Sequence, residues 1–152
     1  MNNNLKLGVD VVSAHNLLPK DELGSSSTFV ELYFDGQKFQ TTIKEKDLPV
    51  WNESFYFNIS DPSNLRFLTL DAYFYNNVRA TNTTSFLGKV SLTGTTFVPY
   101  SDAVVLNYPL EKCRIFSLVS GELDLKVDIT DGASIKFSTP VASADSSTPA
   151  AT

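Results

Sequence analysis

The chain has 152 residues and a formal net charge of -5, from 12 Lys and Arg against 17 Asp and Glu. Its composition, 42% hydrophobic and 19% charged, is typical of a single globular domain, and a chain of this length buries roughly 68–70% of its unfolded surface. The acidic balance argues against nucleic-acid binding, which uses a basic face. One cysteine, Cys113, and one histidine, His15, are too few for an internal disulfide or a structural zinc site.

Polar and apolar residues alternate with a period of two along most of the chain, which predicts β-strands. The pair Asp35-Gly36 predicts a tight hairpin turn between the second and third strands. No stretch of ten or more residues shows a helical stripe. The predicted strands cover about residues 5–12, 29–34, 38–43, 54–59, 67–75, 86–92, 103–108 and 122–130.

Eight short strands separated by turn signals predict an all-β fold, either a sandwich or a barrel. We favour an eight-stranded antiparallel β-sandwich, because most strands have one polar and one apolar face. We expect residues 1–132 to form the folded domain and residues 133–152, rich in Ser, Thr, Ala and Pro, to be a disordered linker or tail. The start of the chain carries no apolar signal segment, and no apolar run reaches the roughly 18 residues of a membrane span. We therefore expect a soluble and most simply intracellular chain.

Three segments of the chain resemble the C2 domain family. Residues 7–21 (LGVDVVSAHNLLPKD) are similar to the opening strand and first loop of a C2 domain, and residues 50–57 (VWNESFYF) to the signature Pro-Val-Trp-Asn-Glu-x-Phe-x-Phe. Residues 86–88 (FLG) resemble the Ile/Leu-Gly pair that follows the third loop. The strand order, which ends on residues 121–125 (GELDL), resembles the type II circular permutation of the sandwich. One departure is the turn before Val50, where Leu48-Pro49 replaces Asn-Pro.

A closer resemblance is to the C2 domains of plant multiple C2 domain and transmembrane region proteins, which include florigen-interacting proteins. It rests on residues 11–21, 29–37 and 97–102. It implies several C2 domains on the cytoplasmic face of membranes and a C-terminal anchor in the endoplasmic reticulum. It also implies tethering to the plasma membrane, often at plasmodesmata. The chain is then expected to be a fragment whose anchor lies outside it.

Calcium-dependent C2 domains use about five Asp side chains on two loops, because Ca²⁺ takes six to eight oxygen ligands. In this sequence the resemblance puts only one carboxylate among those positions, and it puts a phenylalanine, which cannot ligate, at another. We therefore expect no metal site in the physiological range and no cofactor, and we interpret the single carboxylate as a solvated or loop-capping acid. The degenerate positions are Asp21, Ser27, Phe74, Asn76 and Ser85.

The resemblance also implies a basic concave patch on the third and fourth strands that binds phosphoinositide head groups. Each cation near an anionic membrane contributes about 1 kcal/mol, so three lysines give attraction on about the millimolar scale. Glu45 and Asp47 dilute the field, and a solvated strand face is the alternative interpretation. The candidate lipid-binding residues are Lys38, Lys44 and Lys46 on the patch, with Lys20 and Arg79 on loops.

No nucleophile, base and metal set can be assembled into an enzyme site. His15 is interpreted as a loop or edge histidine, and Cys113 has no partner. Asp124 and Asp128 alternate with Lys126 and are interpreted as solvated charges on the last strand. Two hypotheses follow. The first is a non-enzymatic module for calcium-independent, electrostatic contact with anionic phospholipid membranes. The second is a protein-interaction domain that uses sheet faces or edges and binds no lipid.

Overall fold

The computed structural model describes residues 4–15, 27–45, 48–78, 81, 83–111 and 121–131. The strands in these residues are β1 Leu5–His15, β2 Thr28–Phe34, β3 Gln37–Gln40, β4 Val50–Asn58, β5 Thr69–Val78, β6 Thr83–Thr93, β7 Val98–Pro99, β8 Val105–Pro109 and β9 Glu122–Asp131. One sheet has the order β4-β1-β9-β7, with β8 also paired to β9, and the other has the order β3-β2-β5-β6. The predicted β-sandwich is confirmed.

Several strands differ from their predicted extents: β1, β4 and β6 are longer than predicted, and β7, β3 and β5 differ as follows. β7 is an additional strand of two residues that pairs in parallel with β9, whereas the other pairs are antiparallel. β3 ends at Gln40, and the next residue, Thr41, is buried with its hydroxyl accepting a hydrogen bond from the Val30 amide. β5 begins only at Thr69, because Pro62–Phe67 forms a 3₁₀ helix with Asp61 as its N-cap.

The core lies between the two sheets and is built from the inward residues of each strand. β1 contributes Leu7, Val9 and Val11, which are fully buried. Phe34 and Phe57 pack across the interface with ring centroids 5.6 Å apart. Each fully buried aliphatic or aromatic side chain stabilises the fold by about 1.5–3 kcal/mol. The alternation of inward and outward side chains along each strand therefore determines which residues face solvent and can contact a ligand.

The hairpin between β2 and β3 has the turn that the sequence predicts. Asp35 has φ 49° and Gly36 has φ 77°. Two consecutive positive φ values are typical of the type I′ turn, whose twist matches that of the flanking strands. The turn places β3 antiparallel to β2, with Tyr33 opposite Lys38.

The pairing register defines two ends of the sandwich. At one end, called here the loop end, His15 lies opposite Glu122 and Thr28 lies opposite Asn76. At the opposite end Leu5 lies opposite Asp131, next to the β2–β3 turn. The loop end carries the connection between β3 and β4, and the described degenerate ligand positions Ser27, Asn76 and Ser85 lie there.

Candidate functional site

The structure brings three of the five degenerate ligand positions together at the loop end. Asn76 lies opposite Thr28 on one side and Ser85 on the other. The backbone oxygen of Ser27 accepts a hydrogen bond of 2.6 Å from the Asn77 amide. Phe74 points into the core, where its ring centroid lies 6.1 Å from that of Trp51. Asp21 lies outside the described residues.

The side-chain oxygens of Ser27, Thr28, Asn76 and Ser85, at and beside the degenerate ligand positions, are uncharged. The side-chain oxygens of Thr28 and Asn76 are buried and have no hydrogen-bond partner among the residues that the structure describes. In that part of the chain no group of three or more His, Cys, Asp or Glu side chains is arranged to hold a metal ion. Amide and hydroxyl oxygens do not offset the charge of Ca²⁺, which is bound mostly through carboxylates.

Two of the predicted lysines are described, and they lie apart from each other. Lys38 is on β3 opposite Tyr33, whereas Lys44 follows β3 and forms a bridge with Thr28. Tyr33 and Thr28 are five positions apart on β2, which corresponds to about 17 Å along a strand. Lys46, Lys20 and Arg79 lie outside the described residues.

Lys38 is partly neutralised by a neighbouring carboxylate. Its Nζ lies 3.4 Å from the Glu31 Oε2, and Glu31 raises the pKa of Lys38 above its ordinary value. The Tyr33 hydroxyl donates a hydrogen bond of 2.9 Å to Glu31 Oε1, which raises the pKa of Tyr33. Lys38 therefore stays charged at physiological pH, but its field is diluted by an acid on the adjacent strand.

The outer face of the β3-β2-β5-β6 sheet carries a cluster of aromatic rings that was not predicted from the sequence. Phe29 stacks on Tyr75 with ring centroids 5.3 Å apart, and Tyr33 meets Tyr73 edge to face at 5.4 Å. Phe86 contacts both Tyr73 and Tyr75 at about 6 Å. We call this cluster of Phe29, Tyr33, Tyr73, Tyr75 and Phe86 the aromatic face.

Lys89 is a cation of the aromatic face that was not among the predicted lipid-binding residues. It lies opposite Tyr73 on β6, and its Nζ is 5.7 Å from the Tyr73 ring centroid. No acidic side chain in the described residues forms an ion pair with it. The alternation of β6, with Lys89 and Ser91 on its polar face, was the available signal. Lys89 is placed beside Tyr73 by the pairing of β6 with β5, and the sequence alone does not give that pairing.

The connection from β3 to β4 presents apolar side chains to solvent at the loop end. Ile43 is 45% exposed and Leu48 is 61% exposed, on either side of Lys44 and Glu45. Trp51, near the start of the strand that follows, is anchored by a 2.9 Å hydrogen bond from its indole N–H to the Thr42 carbonyl. The connection is thereby held in place with Ile43 and Lys44 next to each other.

The interpretation of Asp128 as a solvated charge is wrong. Asp128 is 5% exposed, and its Oδ1 has no hydrogen-bond partner within the described ranges. Burial, together with the charge of Asp10, raises the pKa of Asp128 to about 6, whereas Lys126 acts in the opposite direction. The strand alternation correctly placed it on the outer face, but Tyr56 packs near it there and β7 pairs alongside it.

His15 lies at the end of β1 in a polar group on the outer face of its sheet. Its Nε2 is 2.8 Å from Glu122 Oε1, and its Nδ1 is 3.5 Å from Asp124 Oδ2. The Ser13 hydroxyl and the Asn107 side-chain amide both donate to Asp124, at 2.9 Å each. The two carboxylates meet different ring nitrogens, so they do not converge on a common point as metal ligands would. This geometry fits the interpretation of an edge histidine.

The comparisons with known proteins agree with the fold. The family model described as C2 domain matches residues 5–110. The chain belongs to the C2 domain family.

Among curated proteins, the chain is 67% identical over 139 residues to multiple C2 domain and transmembrane region protein 7 of Arabidopsis thaliana. It is 51% identical over 138 residues to protein 9 of the same series. These alignments cover 91% and 90% of the chain but only 14% of each relative. The resemblance to this plant family is confirmed, and the chain spans about one seventh of the length of the relatives it matches.

Among solved structures, a C2 domain of plant extended synaptotagmin 1 aligns with a TM-score of 0.71 at 23% identity, over 86% of this chain and 98% of that one. This similarity concerns the fold. The family model describes a C2 domain, and the relatives are named multiple C2 domain and transmembrane region proteins. C2 domains commonly bind phospholipid membranes or proteins. No helix in the described part of the chain has the length and apolarity needed to cross a membrane.

Proposed function

We propose that this chain is a non-enzymatic C2 module that contacts anionic phospholipid membranes without calcium. The observation that carries the proposal is the β3–β4 connection, where exposed Ile43 and Leu48 flank Lys44 at the loop end. Aliphatic groups gain free energy when they enter the lipid interface, and a nearby cation is attracted to anionic head groups. Calcium independence is supported by the side chains of Ser27, Phe74 and Asn76, which bring no carboxylate to that end.

The aromatic face supports the same proposal from the adjacent sheet surface. Lys89 has no acidic partner in the described residues, and Lys38 shares its charge with Glu31. Tyrosine rings have an apolar body and a polar tip, which suits the head-group region of a membrane. We therefore propose Lys44 and Lys89, with Lys38 contributing less, as the cations that face the membrane. Lys46, Lys20 and Arg79 remain predicted contributors.

The cellular setting follows from the relatives and is also a proposal. Their names describe transmembrane regions, and the chain covers a small part of their length. We propose that the module faces the cytoplasm in a longer protein anchored in the endoplasmic reticulum, near the plasma membrane or plasmodesmata.

Vesicle co-sedimentation tests the proposal. The chain is mixed at low salt with phosphatidylcholine vesicles, with and without phosphatidylserine or phosphoinositide, in EGTA and then in calcium. We expect binding only to anionic vesicles, equal in EGTA and calcium. We expect it to fall about five- to tenfold in Lys44→Gln and in the double variant Ile43→Ser with Leu48→Ser, since each loses about 1 kcal/mol or more.

Two control variants are matched to these changes. Phe67→Ser removes an exposed apolar side chain, and Lys6→Gln removes a cation, both away from the loop end. Both are expected to bind as the unsubstituted chain does. Binding that needs calcium, or equal losses in the control and loop-end variants, would contradict the proposal.

A further inference from the structure

β8 is an edge strand whose apolar side chains face solvent. Its backbone pairs with β9 along one side, and no other described strand pairs with its second side. Val104, Val105 and Leu106 are 60, 51 and 50% exposed. Val104 precedes β8, and because consecutive side chains in a strand point to opposite faces, the exposure of both Val105 and Leu106 means that both faces of this edge are open in the described part of the chain.

β8 also lacks the charges that usually protect an edge strand. Proteins blunt exposed edges with lysine, acidic residues or proline, because an unpaired strand invites pairing with another chain. The edge strands β3, β4 and β6 follow this practice, with Lys38, Glu53 and Lys89 respectively. β8 (VLNYP) has no charged residue, and its only proline, Pro109, is at its end.

A groove beside β8 is large enough to hold one side chain. It has a volume of about 150 Å³ and lies between the two sheets. Its apolar walls include Leu92, Phe97, Leu106 and Val127, and Asp102 is among its polar lining residues. An apolar cavity of about this volume accommodates a benzene-sized group. One aliphatic or aromatic side chain of an added strand would therefore fill it.

Asp102 favours a positively charged side chain in a segment that binds beside β8. It accepts a 3.3 Å hydrogen bond from the Ser101 hydroxyl, and no cation in the described residues forms an ion pair with it. A second copy of β8 could not supply that cation, because the strand contains no Lys or Arg. The net charge of -5 on each copy further opposes self-pairing.

We propose that the edge of β8 binds an extended segment of a partner protein as an added strand. Backbone hydrogen bonds to β8 would provide affinity, and side-chain contacts would provide selectivity, as in other cases of strand addition. The segment carries alternating apolar side chains, one of which enters the groove, and a Lys or Arg that pairs with Asp102. This protein site lies on the opposite edge of the sheet from β4 and the β3–β4 connection, and on a different sheet from the aromatic face, so it goes beyond the proposed membrane function.

A synthetic peptide probe tests the proposal. The probe alternates Val and Thr and has one Lys, and its binding to the full chain is measured by fluorescence anisotropy. We expect Leu106→Lys to weaken binding about tenfold or more and Asp102→Asn about threefold, which correspond to losing the groove contact and a partly exposed ion pair. Val50→Lys is the matched control, because Val50 is similarly exposed but lies on β4 at the other edge of the sheet. It should leave binding unchanged.

A second control does not depend on how the variants fold. A probe N-methylated at alternate amides keeps its side chains but cannot pair as a strand, and it should bind at least about tenfold more weakly than the unmodified probe. Equal binding of both probes, or equal loss in Val50→Lys and Leu106→Lys, would overturn the proposal. So would a chain that is dimeric by analytical ultracentrifugation and becomes monomeric on Leu106→Lys, because a second copy would then occupy the edge.

Discussion

At the scale of single residues, Asp128 is buried because of a glycine on the neighbouring strand. Gly8 lies opposite Asp128, and a Cβ at Gly8 would lie 2.6 Å from Asp128 Oδ1. The missing side chain leaves room for the carboxylate, and Tyr56 covers the same position from β4. The cost of this arrangement is a carboxylate that has lost water without gaining a hydrogen bond to its Oδ1 in the described part.

We predict that Asp128→Asn stabilises the chain at neutral pH. The folded pKa of Asp128 is raised from 3.8 to about 6, so ionisation opposes folding above pH 6, and this penalty disappears as the pH falls through 6 toward 3.8. The difference is on the order of 3 kcal/mol in the free energy of unfolding. Urea unfolding at a series of pH values should show the variant more stable at pH 7 and the two chains converging near pH 4. A gap that is constant with pH would contradict this prediction.

At the scale of elements, the sequence predicts most of the strands but not their lateral neighbours. Period-two alternation and the Asp35-Gly36 turn were sufficient for the β2–β3 hairpin, because both are local. The two-residue β7 was missed because it is too short to show a period. The aromatic face was missed because it joins residues of β2, β5 and β6 that only the sheet register brings together.

The dependence on strand pairing also explains which parts of the candidate site could be predicted from the sequence. The carboxylate-poor ligand set could be seen from residue types at positions given by the C2 resemblance. The pairing of Lys38 with Glu31 and the burial of Asp128 depend on neighbours across strands, and such contacts have no signature in a single sequence. The C2 resemblance therefore indicated which end of the sandwich holds the degenerate ligand positions. The charge balance on the faces of the sheets depends on contacts across strands, which only the structure gives.

We predict that Gly36→Ala destabilises the hairpin, whereas Gly36→Asn is better tolerated. A Cβ at Gly36 meets nothing within 4 Å, so the cost comes from φ +77° alone. Left-handed backbone costs about 1–2 kcal/mol for an ordinary L-residue, and asparagine adopts it more readily. Thermal unfolding monitored by circular dichroism should give the order glycine, asparagine, alanine in decreasing melting temperature. Equal values for the alanine and asparagine variants would indicate that the turn relaxes.

At the scale of the whole molecule, the charge distribution limits what one copy can do. The chain carries a net charge of -5, and the cations proposed to face the membrane are few. Two or three lysines with two aliphatic side chains give attraction of about 4–5 kcal/mol, which corresponds to roughly millimolar affinity. Stable attachment then requires several modules in one chain, and the relatives, about seven times longer, are named for multiple C2 domains.

We predict that linking two copies raises vesicle binding more than twofold. In a tandem chain with a flexible linker, the second copy binds at an effective concentration on about the millimolar scale, which is comparable with or somewhat above the Kd of one copy, so binding should increase about three- to fivefold. Co-sedimentation of single and tandem chains with the same anionic vesicles makes the comparison, and a tandem in which one copy carries Lys44→Gln is the control. A tandem that binds no better than twice the single chain would show that the copies cannot engage one membrane together.

The antiparallel pairing of the first and last strands determines how the module responds to tension. Leu5 and Asp131 lie opposite each other, so a longer polypeptide enters β1 and leaves β9 at the same end. A force between neighbouring modules therefore separates these two strands starting from the end where Leu5 lies opposite Asp131. Their hydrogen bonds then break one pair at a time rather than all together in shear. A protein that bridges two membranes through such modules would lengthen first by the separation of β1 from β9. The β3-β2-β5-β6 sheet would carry little of the force.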